Sequence, residues 1–256
     1  MKLNAEEKAM LAGEHGPVRQ IAIQHQIKVG EFFGAEDLVP VSQAHIMADT
    51  ESLGEAGVEW LEGLAKNSVT DRMVRIPTIT DPRGTDFTKA KQLGQTEKML
   101  ELERRAIDAF VKMGVSMTDT CINYQTVSPP RFQQHLAWGD TGAVAFANGV
   151  AGARSNYEAG PASIAAALTG MVPAYGFHVA SNRYATRVFE MQDSISGTAD
   201  WSALGAWVGR EIADYWTVPA IVVPDANPSI DELKHFAAAV ASYGSVAMFH
   251  VVGCTP

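Results

Sequence analysis

Side chains that could do chemistry are concentrated between Asp119 and Asn156. Three motifs supply them: DTCINYQT from Asp119, HLAWGDTG from His135 and GARSN from Gly152. They place a thiol, several amides and hydroxyls, a carboxylate and a guanidinium among glycines, where a core segment would carry Val, Leu or Ile. Buried polar groups cost free energy unless they are paired, so this density indicates a site for a small polar or anionic molecule beside a metal centre.

The thiol of Cys121 has two possible roles, as a metal ligand or as a small buried apolar group. An isolated cysteine is most often buried, and no CxxC pair or neighbouring histidine supports a ligand, so spacing alone favours the buried role. The chain has one other cysteine, Cys254. Two cysteines do not form a disulfide scaffold in 256 residues, and no signal peptide is visible. We therefore expect a cytoplasmic protein whose thiols stay reduced or bind metal.

The GARSN motif carries the best candidate for binding an acid group. Arg154 can bind a carboxylate through bidentate hydrogen bonds, and Ser155 and Asn156 add neutral hydrogen-bond donors. A turn with a surface arginine fits the same residues. A phosphate-binding glycine loop is poorly supported, because the sequence contains neither GxGxxG nor GxxxxGK followed by Ser or Thr.

Asp140 and Thr141 lie in a glycine-flanked turn after Trp138. The carboxylate of Asp140 either closes a local Asx-type turn or orients a catalytic group or a substrate amine. Both interpretations remain open on the sequence.

Further polar candidates lie in the Cys121 motif and in other parts of the sequence. His45 ends a predicted strand and His178 follows a Tyr-Gly-Phe turn, and each is either a pocket donor or a satisfied structural histidine. Asn123, Tyr124 and Gln125 can hydrogen-bond the sulfur of Cys121 or line the pocket. A loop containing Pro and Gly either closes over the site or is a surface turn, which is favoured for its arginine; its polar residues are Thr80, Asp81 and Arg83.

The composition describes a globular chain without a nucleic-acid surface. Apolar residues make up 46% and charged residues 19%, and the net charge is -9 with no basic run. Nucleic-acid binding depends on clustered Lys and Arg, so we expect no such partner. No apolar run approaches the ~20 residues that span a bilayer, so we expect no membrane association. The low share of charge, with 22 glycines, indicates surface buried against another domain or subunit, which includes a homo-oligomer.

Helical and strand patterns alternate along the chain. The clearest helix runs from Thr96 to Met113, with one broad apolar face and Gly114 at its end, and a strand is predicted over Val115 to Met117. This order predicts α/β layers with functional groups at strand ends. Other predicted helices cover 4–12, 18–33, 57–65, 162–168 and 231–241, and other strands cover 38–45, 73–77, 221–223 and 246–252, with a loop over 78–87 and no assignment for 203–212.

Taken together, the motifs resemble one known family over nearly all 256 residues. The similar segments include LNAEEKAMLAGEHG, TDPRGTDF, DTCINYQT, HLAWGDTG, GARSNYEAGP, LTGMVPAYGFH and FHVVGCTP. The chain resembles the large subunit or catalytic domain of aconitase X, and within it the bacterial branch of cis-3-hydroxy-L-proline dehydratases. The resemblance implies an α/β fold of aconitase-like α/β/α layers with mostly parallel sheets.

The same resemblance implies how the chain is organised. Residues 1–256 would be the N-terminal part of the catalytic domain, with one or two α/β subdomains and no visible boundary. The sequence given stops on a Gly-Cys-Thr-Pro turn directly after a predicted strand, so we expect the fold to be incomplete at the C-terminus. The remainder of the catalytic domain, and a small swivel domain or subunit that completes the active site, would lie outside this chain.

The chemistry implied by the resemblance is dehydration at iron, held by three cysteines as an iron–sulfur cluster or as a single ion. Only Cys121 matches such a ligand, since Cys254 stands where the family usually carries an apolar residue. No residue is a convincing base, which a serine of the swivel part would supply. We predict catalytic roles for Asp140, Thr141 and His45, and substrate contacts from Arg154, Ser155, Asn156, Asn123, Tyr124, Gln125, His178, Thr80 and Asp81.

Among substrates, cis-3-hydroxy-L-proline is preferred. The related archaeal branch dehydrates phosphorylated mevalonate, which ranks second because the sequence offers little basic charge for a phosphate. The chain departs from the family pattern where Gln133-Gln134 replaces Gly-Glu, Gly149 replaces Ser and Met171-Val172 replaces Arg-Thr. These changes, and the single usable cysteine, leave open a non-catalytic subunit that needs partner chains. A nucleotide-binding α/β module would need a phosphate loop that the sequence lacks.

Overall fold

The computed structural model describes residues 1–47, 49–158 and 160–256, which divide into two compact units. Unit 1 comprises Met1–Cys121 and Glu158–Ala174, and unit 2 comprises Ile122–Tyr157 and Tyr175–Pro256. Among the described residues, no helix combines the length and apolar character needed to cross a membrane.

Helices and strands alternate along both units. The helices are α1 Ala5–Ala12, α2 Pro17–Phe32, α3 Thr50–Ala65, α4 Val69–Arg72, α5 Glu97–Lys112, α6 Asn123–Thr126, α7 Thr141–Gly149, α8 Pro161–Thr169, α9 Thr198–Ile212 and α10 Ile230–Gly244. The strands are β1 Leu38–Pro40, β2 Ala44–Ile46, β3 Thr78–Thr80, β4 Ala137–Trp138, β5 Met171–Pro173, β6 Arg187–Glu190, β7 Pro219–Val222 and β8 His250–Val251. Two short 3-10 helices cover Gly176–His178 and Ala180–Arg183.

Helix boundaries follow the capping residues that the sequence displays. In α1, the Asn4 side chain accepts from Glu7 N and the Glu7 carboxylate accepts from Asn4 N, which completes a capping box. Ser229 and Glu232 make the same arrangement at the start of α10. Thr96 caps α5, which confirms the helix predicted there. The unassigned residues 203–212 belong to α9.

Most strands are shorter than predicted, and one predicted strand is wrong. No strand forms at 73–77, because Val74 N donates to Met113 O and Arg75 N donates to Ala167 O, at helix ends rather than in a sheet. The strand lies instead in the predicted loop, as β3. The segment 115–117 contributes one bridge, between Ile79 and Ser116, and the segment 246–252 contains only β8.

Unit 1 combines a parallel strand pair with a helical core. The predicted strand 38–45 is divided into β1, antiparallel to β5, and β2, parallel to β3. His45 lies opposite Ile79, and Ile46 lies opposite Thr80. The buried core includes Leu61 of α3 and Phe110 of α5. Because parallel strands end at the same edge of a sheet, β2 and β3 bring their last residues together at one place.

Unit 2 contains a parallel sheet with two closely packed helices. The strand order is β6-β7-β8. Helices α9 and α10 approach so closely that a Cβ at Gly244 would lie 2.0 Å from Gly209 O. Only glycine permits this contact. The core beneath includes Trp201, Phe236 and Phe249, all essentially inaccessible to solvent.

Candidate functional site

In unit 1, Cys121 is the last residue of a short loop that begins at Ser116, beside Ile79 of β3. Its side chain is exposed, so it is not the buried apolar residue that spacing alone favoured. Cys254, in unit 2, is half-buried, and its thiol donates to Ala226 O at 3.4 Å. Of the two cysteines, Cys121 is therefore the one presented at a surface.

Thr80, at the end of β3, fixes the loop that carries Cys121. Its hydroxyl donates to Asp119 Oδ1 at 2.8 Å and accepts from the backbone N–H groups of Thr118 and Asp119 at 3.2 and 3.3 Å. Its carbonyl accepts from Thr120 N at 3.2 Å. Asp119 has a φ of 48°, a left-handed conformation that non-glycine residues rarely adopt. These bonds hold the backbone in that conformation immediately before Cys121.

His45 supports the same loop from β2. Its Nε2 lies 3.0 Å from Thr120 O and 3.4 Å from Asp81 Oδ1. Burial lowers the pKa of His45 to about 4, against the opposing effect of hydrogen bonds to the backbone of Thr120 and Thr80. The imidazole is therefore neutral at pH 7, with its Nε2–H directed at these acceptors. A catalytic role for His45 stays a prediction, and the geometry gives it a supporting position.

The Cys121 loop offers donor atoms that suit iron. A carboxylate oxygen of Asp81 and the Sγ of Cys121 lie within 4.8 Å of each other. Thiolate sulfur and carboxylate oxygen are both ligands of iron in proteins. The donor set therefore fits one corner of an iron centre, with further ligands supplied from elsewhere.

Arg83 is not on a surface turn, which corrects the prediction favoured by its Pro/Gly-containing loop. Its side chain is 7% exposed and forms ion pairs with the fully buried Glu103 and, at 3.2 Å from Nε, with Asp119 Oδ1. Glu103 also accepts from the hydroxyl of Thr50 at 2.9 Å. Arg83 is buried because a carboxylate on α5 compensates its charge. It joins α5 to the loop that carries Cys121.

In unit 2, Arg154 is positioned by two backbone hydrogen bonds and one side-chain hydrogen bond. Its N–H donates to Gln134 O and its carbonyl accepts from Leu136 N, both at 2.8 Å, so the GARSN segment lies parallel to the segment at His135. The guanidinium donates through Nη1 to His178 O at 2.9 Å. Both backbone and side chain are therefore fixed before any ligand binds.

Ser155 and Asn156 are buried and use their polar groups within unit 2. Ser155 Oγ accepts from Trp138 N at 3.1 Å, and Asn148 exchanges hydrogen bonds with the backbone of Ser155. Asn156 Oδ1 accepts from Phe177 N at 2.9 Å. These bonds position the neighbouring Arg154. Substrate contacts by Ser155 and Asn156 stay a prediction, and such contacts would have to replace existing bonds.

His178 forms a pair with His135. Their Nδ1 atoms lie 2.9 Å apart and the rings stack with centroids 5.1 Å apart. The pKa of His178 falls to about 3, chiefly through burial and then through the charges of His135, Arg154 and Arg183. The pKa of His135 is lowered by burial and by the same two arginines. Both imidazoles are neutral at pH 7 and lie near the positive charges of Arg154 and Arg183.

Asp140 acts as the N-cap of α7, as an Asx-type turn predicts. Its Oδ2 accepts from Gly142 N at 3.0 Å and from Ala143 N at 3.4 Å. Burial raises the pKa of Asp140, and these two bonds oppose the rise. Thr141 begins α7 and is exposed. Catalytic roles for Asp140 and Thr141 stay predictions.

The three residues after Ile122 have different environments in unit 2. Asn123 is fully buried, and both polar atoms of its amide have no partner among the described residues. Tyr124 belongs to the core and stacks on Phe146 with centroids 4.1 Å apart. Gln125 is exposed and accepts from Lys234 Nζ at 3.1 Å. Of the three, Asn123 is the one whose amide stays unsatisfied within the described part of the chain.

A cavity of about 250 Å³ in unit 2 is lined by an arginine, Arg183, that the sequence analysis does not select. Arg154 and Arg183 both line it, beside Gly152 and Phe132. Gly152 has a φ of 65°, a left-handed conformation in which a side chain would be strained, and a Cβ there would lie 2.5 Å from the Phe132 ring. Arg183 follows the YGFH turn in sequence, but no motif marks it.

Comparison with known proteins identifies the family. Residues 1–181 match the aconitase X first domain, and residues 185–256 match the aconitase X second domain. A crystal structure of Thermococcus kodakaraensis aconitase X in its holo-form superposes with a TM-score of 0.88 at 33% identity, covering 100% of this chain and 63% of that one. The α/β fold of aconitase type, with mostly parallel sheets, is thereby confirmed.

Two groups of relatives carry different names. The chain is 35% identical to the phosphomevalonate dehydratase large subunit of Methanocaldococcus jannaschii, over 100% of this chain and 64% of that protein. It is 33% identical to the cis-3-hydroxy-L-proline dehydratase of Pseudomonas aeruginosa, over 100% of this chain and 43% of that protein. The chain thus spans less than two thirds of the relatives that it matches. These comparisons confirm the resemblance to aconitase X noted from the motifs, without distinguishing its two branches, and the chain belongs to the aconitase X family.

Proposed function

We propose that this chain is part of an iron-dependent hydro-lyase that removes water from a small hydroxylated carboxylic acid, with cis-3-hydroxy-L-proline as the first candidate. The observation that carries the proposal is the exposed Cys121 on a loop fixed by Thr80 and His45. Family membership supports it, because the named relatives are dehydratases. A thiol held rigidly at a surface suits a metal ligand better than a packing role.

Dehydration requires two bond changes on adjacent carbons. A base removes the proton from the carbon that bears the carboxylate, and that electron pair forms the double bond while the neighbouring hydroxyl leaves, with a proton, as water. From cis-3-hydroxy-L-proline the product is an enamine, which rearranges to a cyclic imine. Iron bound at Cys121 would supply a Lewis acid for the departing oxygen.

Arg154 is proposed to bind the substrate carboxylate. Negative charge builds on that group as the adjacent proton leaves, and a guanidinium fixed in advance stabilises it without reorganisation. The bond from Arg154 to His178 O and the backbone pairing with residues 134–136 provide this fixed position. Asp140, Thr141 and His45 remain the proposed catalytic residues, and the base is proposed to come from outside this chain.

The complete enzyme is proposed to contain more than these 256 residues. Relatives named as large subunits imply a small subunit in the family. We propose that the remainder of the catalytic domain and a small swivel subunit complete the active site and add two cysteines to Cys121. We further propose that the enzyme works in the cytoplasm on a small-molecule substrate and forms homo-oligomers.

A phosphorylated substrate is the second candidate, and one structural observation favours it. The sequence offers little basic charge for a phosphate, but Arg183 lines the same cavity as Arg154. Five of the archaeal relatives are named phosphomevalonate dehydratase large subunits. A non-catalytic subunit is the remaining alternative, and it predicts an assembly without iron.

The test measures iron, sulfide and turnover in the complete protein with its small subunit. Cys121→Ser should remove iron and activity together, whereas Cys254→Ser should keep both. Turnover is measured on cis-3-hydroxy-L-proline and on phosphomevalonate, which separates the two substrate candidates. An assembly that binds no iron, and whose Cys121→Ser variant keeps full activity, would falsify the mechanism.

A further inference from the structure

Two guanidinium groups in unit 2 line the same cavity of about 250 Å³. Arg154 comes from the GARSN segment and Arg183 from the second 3-10 helix. Both residues are half-buried. Two like charges are thus brought to one partly enclosed space by segments distant in sequence.

Neither guanidinium has an acidic partner among the residues that the structure describes. Two other arginines of low exposure do have one, since Arg83 pairs with Glu103 and Arg105 pairs with Glu62. Burying a charge without a partner costs free energy. The positive charge at this cavity is therefore left for a ligand to compensate.

Both side chains are held in place and still have N–H groups to offer. Arg154 donates to His178 O at 2.9 Å, and Arg183 donates to Asn148 O at 3.0 Å and to Phe177 O at 3.3 Å. A guanidinium has five N–H donors, so each group keeps some unused. Planar donors fixed in this way match the oxygens of a carboxylate or phosphate.

The electrostatics of the cavity agree with this geometry. The pKa of Arg183 falls to about 10, first through burial and then through the charge of Arg154. Arg183 therefore remains charged at neutral pH, and the guanidinium of Arg154 repels it. A bound anion would remove this repulsion.

We propose that Arg154 and Arg183 together bind an oxyanion group of a small molecule, a carboxylate or a phosphate, in this cavity. Arg183 is thereby a ligand-binding residue in addition to Arg154. The inference deepens the proposed role of Arg154, and it rests on the proposed function only for the identity of the bound molecule as the substrate.

The first experiment uses the complete wild-type protein and an arginine reagent, phenylglyoxal. Modification of each arginine is followed by peptide mass spectrometry with inorganic phosphate, with acetate, or with chloride at equal ionic strength. We expect phosphate or acetate to slow modification of Arg154 and Arg183 at least fivefold, and to leave the exposed Arg210 unaffected. Protection by acetate assigns a carboxylate, and protection by phosphate alone assigns a phosphate. Equal rates in all three salts, or equal protection of Arg210, overturn the proposal.

The second experiment compares Arg183→Gln with Arg210→Gln in the same protein. We expect affinity for the protecting anion, measured by calorimetry, to fall at least tenfold in Arg183→Gln and to stay unchanged in Arg210→Gln. If Arg183→Gln does not fold, Arg183→Lys keeps the charge but loses the planar donors, and affinity should again fall. Unchanged affinity in a folded Arg183 variant contradicts the proposal.

These outcomes are independent of the hydro-lyase test. Protection of both arginines without iron or turnover would end the proposed function and keep the anion site. Iron-dependent turnover without protection, and with an unchanged KM in Arg183→Gln, would keep the function and end the anion site.

Discussion

His135 and His178 share a hydrogen bond between their Nδ1 atoms, which lie 2.9 Å apart. Such a bond needs one proton between two nitrogens, so one imidazole donates and the other accepts. Arg154 donates to the carbonyl of the same His178. The histidine pair therefore supports the position of the guanidinium that we assign to an acid group, and it does so in the neutral state.

Stability at acidic pH should decrease because of His178. Its folded-state pKa is about 3, below the ordinary value of 6.5, so the unfolded chain binds more protons between these values. The contribution of His178 to the free energy of unfolding is therefore fully present above the ordinary pKa, and it is lost as the pH falls towards 3. Linkage gives a loss of roughly 2 kcal/mol between pH 7 and pH 5. Urea unfolding at both pH values measures it, and His178→Gln should show a loss smaller by about this amount.

Arg83 should matter for stability far more than an exposed arginine. Arg83→Gln leaves the buried Glu103 without its partner, which typically costs ~3–5 kcal/mol. The matched control is Arg104→Gln on the exposed face of α5, where Arg104 pairs with Glu101 at 3.7 Å and the cost is about 0.5 kcal/mol or less. Chemical unfolding compares the two variants. Equal effects would contradict the buried position of Arg83.

Local signals predicted part of the fold, and tertiary partners determined the rest. Capping boxes are visible in the sequence because their two residues are three positions apart, so the N-terminal ends of α1 and α10 were predictable. Arg83 looked exposed because its loop contains Pro and Gly, and only Glu103 on α5 makes its burial possible. A sequence pattern does not show which distant carboxylate a charge will meet.

The candidate site, like the fold, was predictable from the sequence only in part. The family resemblance indicated Cys121, and the GARSN motif indicated Arg154, because guanidinium groups are rarely buried in core segments. The resemblance and the motif did not indicate Arg183, whose place beside Arg154 depends on bonds to Asn148 and Phe177. They also did not show that Ser155 is bonded inside unit 2. Whether a polar side chain faces a cavity or the protein is decided by partners that are distant in sequence.

Two positions at which the resemblance predicts a different residue have local structural correlates. Gln133 has a φ of 61°, a left-handed conformation that glycine, the residue expected there from the resemblance, adopts at lower cost. At Gly149, where the resemblance predicts Ser, a Cβ would lie 2.6 Å from the ring of Phe249. Glycine at position 149 therefore matches the packing of this chain.

Gly149→Ala should consequently destabilise the protein. The added methyl group meets the buried Phe249 ring, and overpacking of this kind costs about 1–3 kcal/mol. The control is Gly63→Ala in α3, where a Cβ meets nothing within 4 Å. Alanine should there stabilise the helix by up to about 1 kcal/mol. Thermal unfolding of both variants gives opposite signs if the packing is as described.

Loss of the Thr80 hydroxyl should release the loop that carries Cys121. Thr80→Val keeps the shape of the side chain but removes the bond to Asp119 Oδ1 and leaves the N–H groups of Thr118 and Asp119 without their acceptor. Unsatisfied groups of this kind cost about 1–3 kcal/mol. Because Asp119 then has less to hold its left-handed backbone, we expect Cys121 to become mobile.

The reaction rate of Cys121 with a disulfide reagent measures this release. Peptide mass spectrometry of the complete, metal-free protein follows Cys121 separately from the other cysteines, and Thr80→Val should raise its rate several-fold. Thr88→Val, on the exposed face of the same unit, should leave the rate unchanged. If Thr80→Val lowers stability while the rate of Cys121 stays constant, Thr80 contributes to the fold of unit 1 but does not position the thiol.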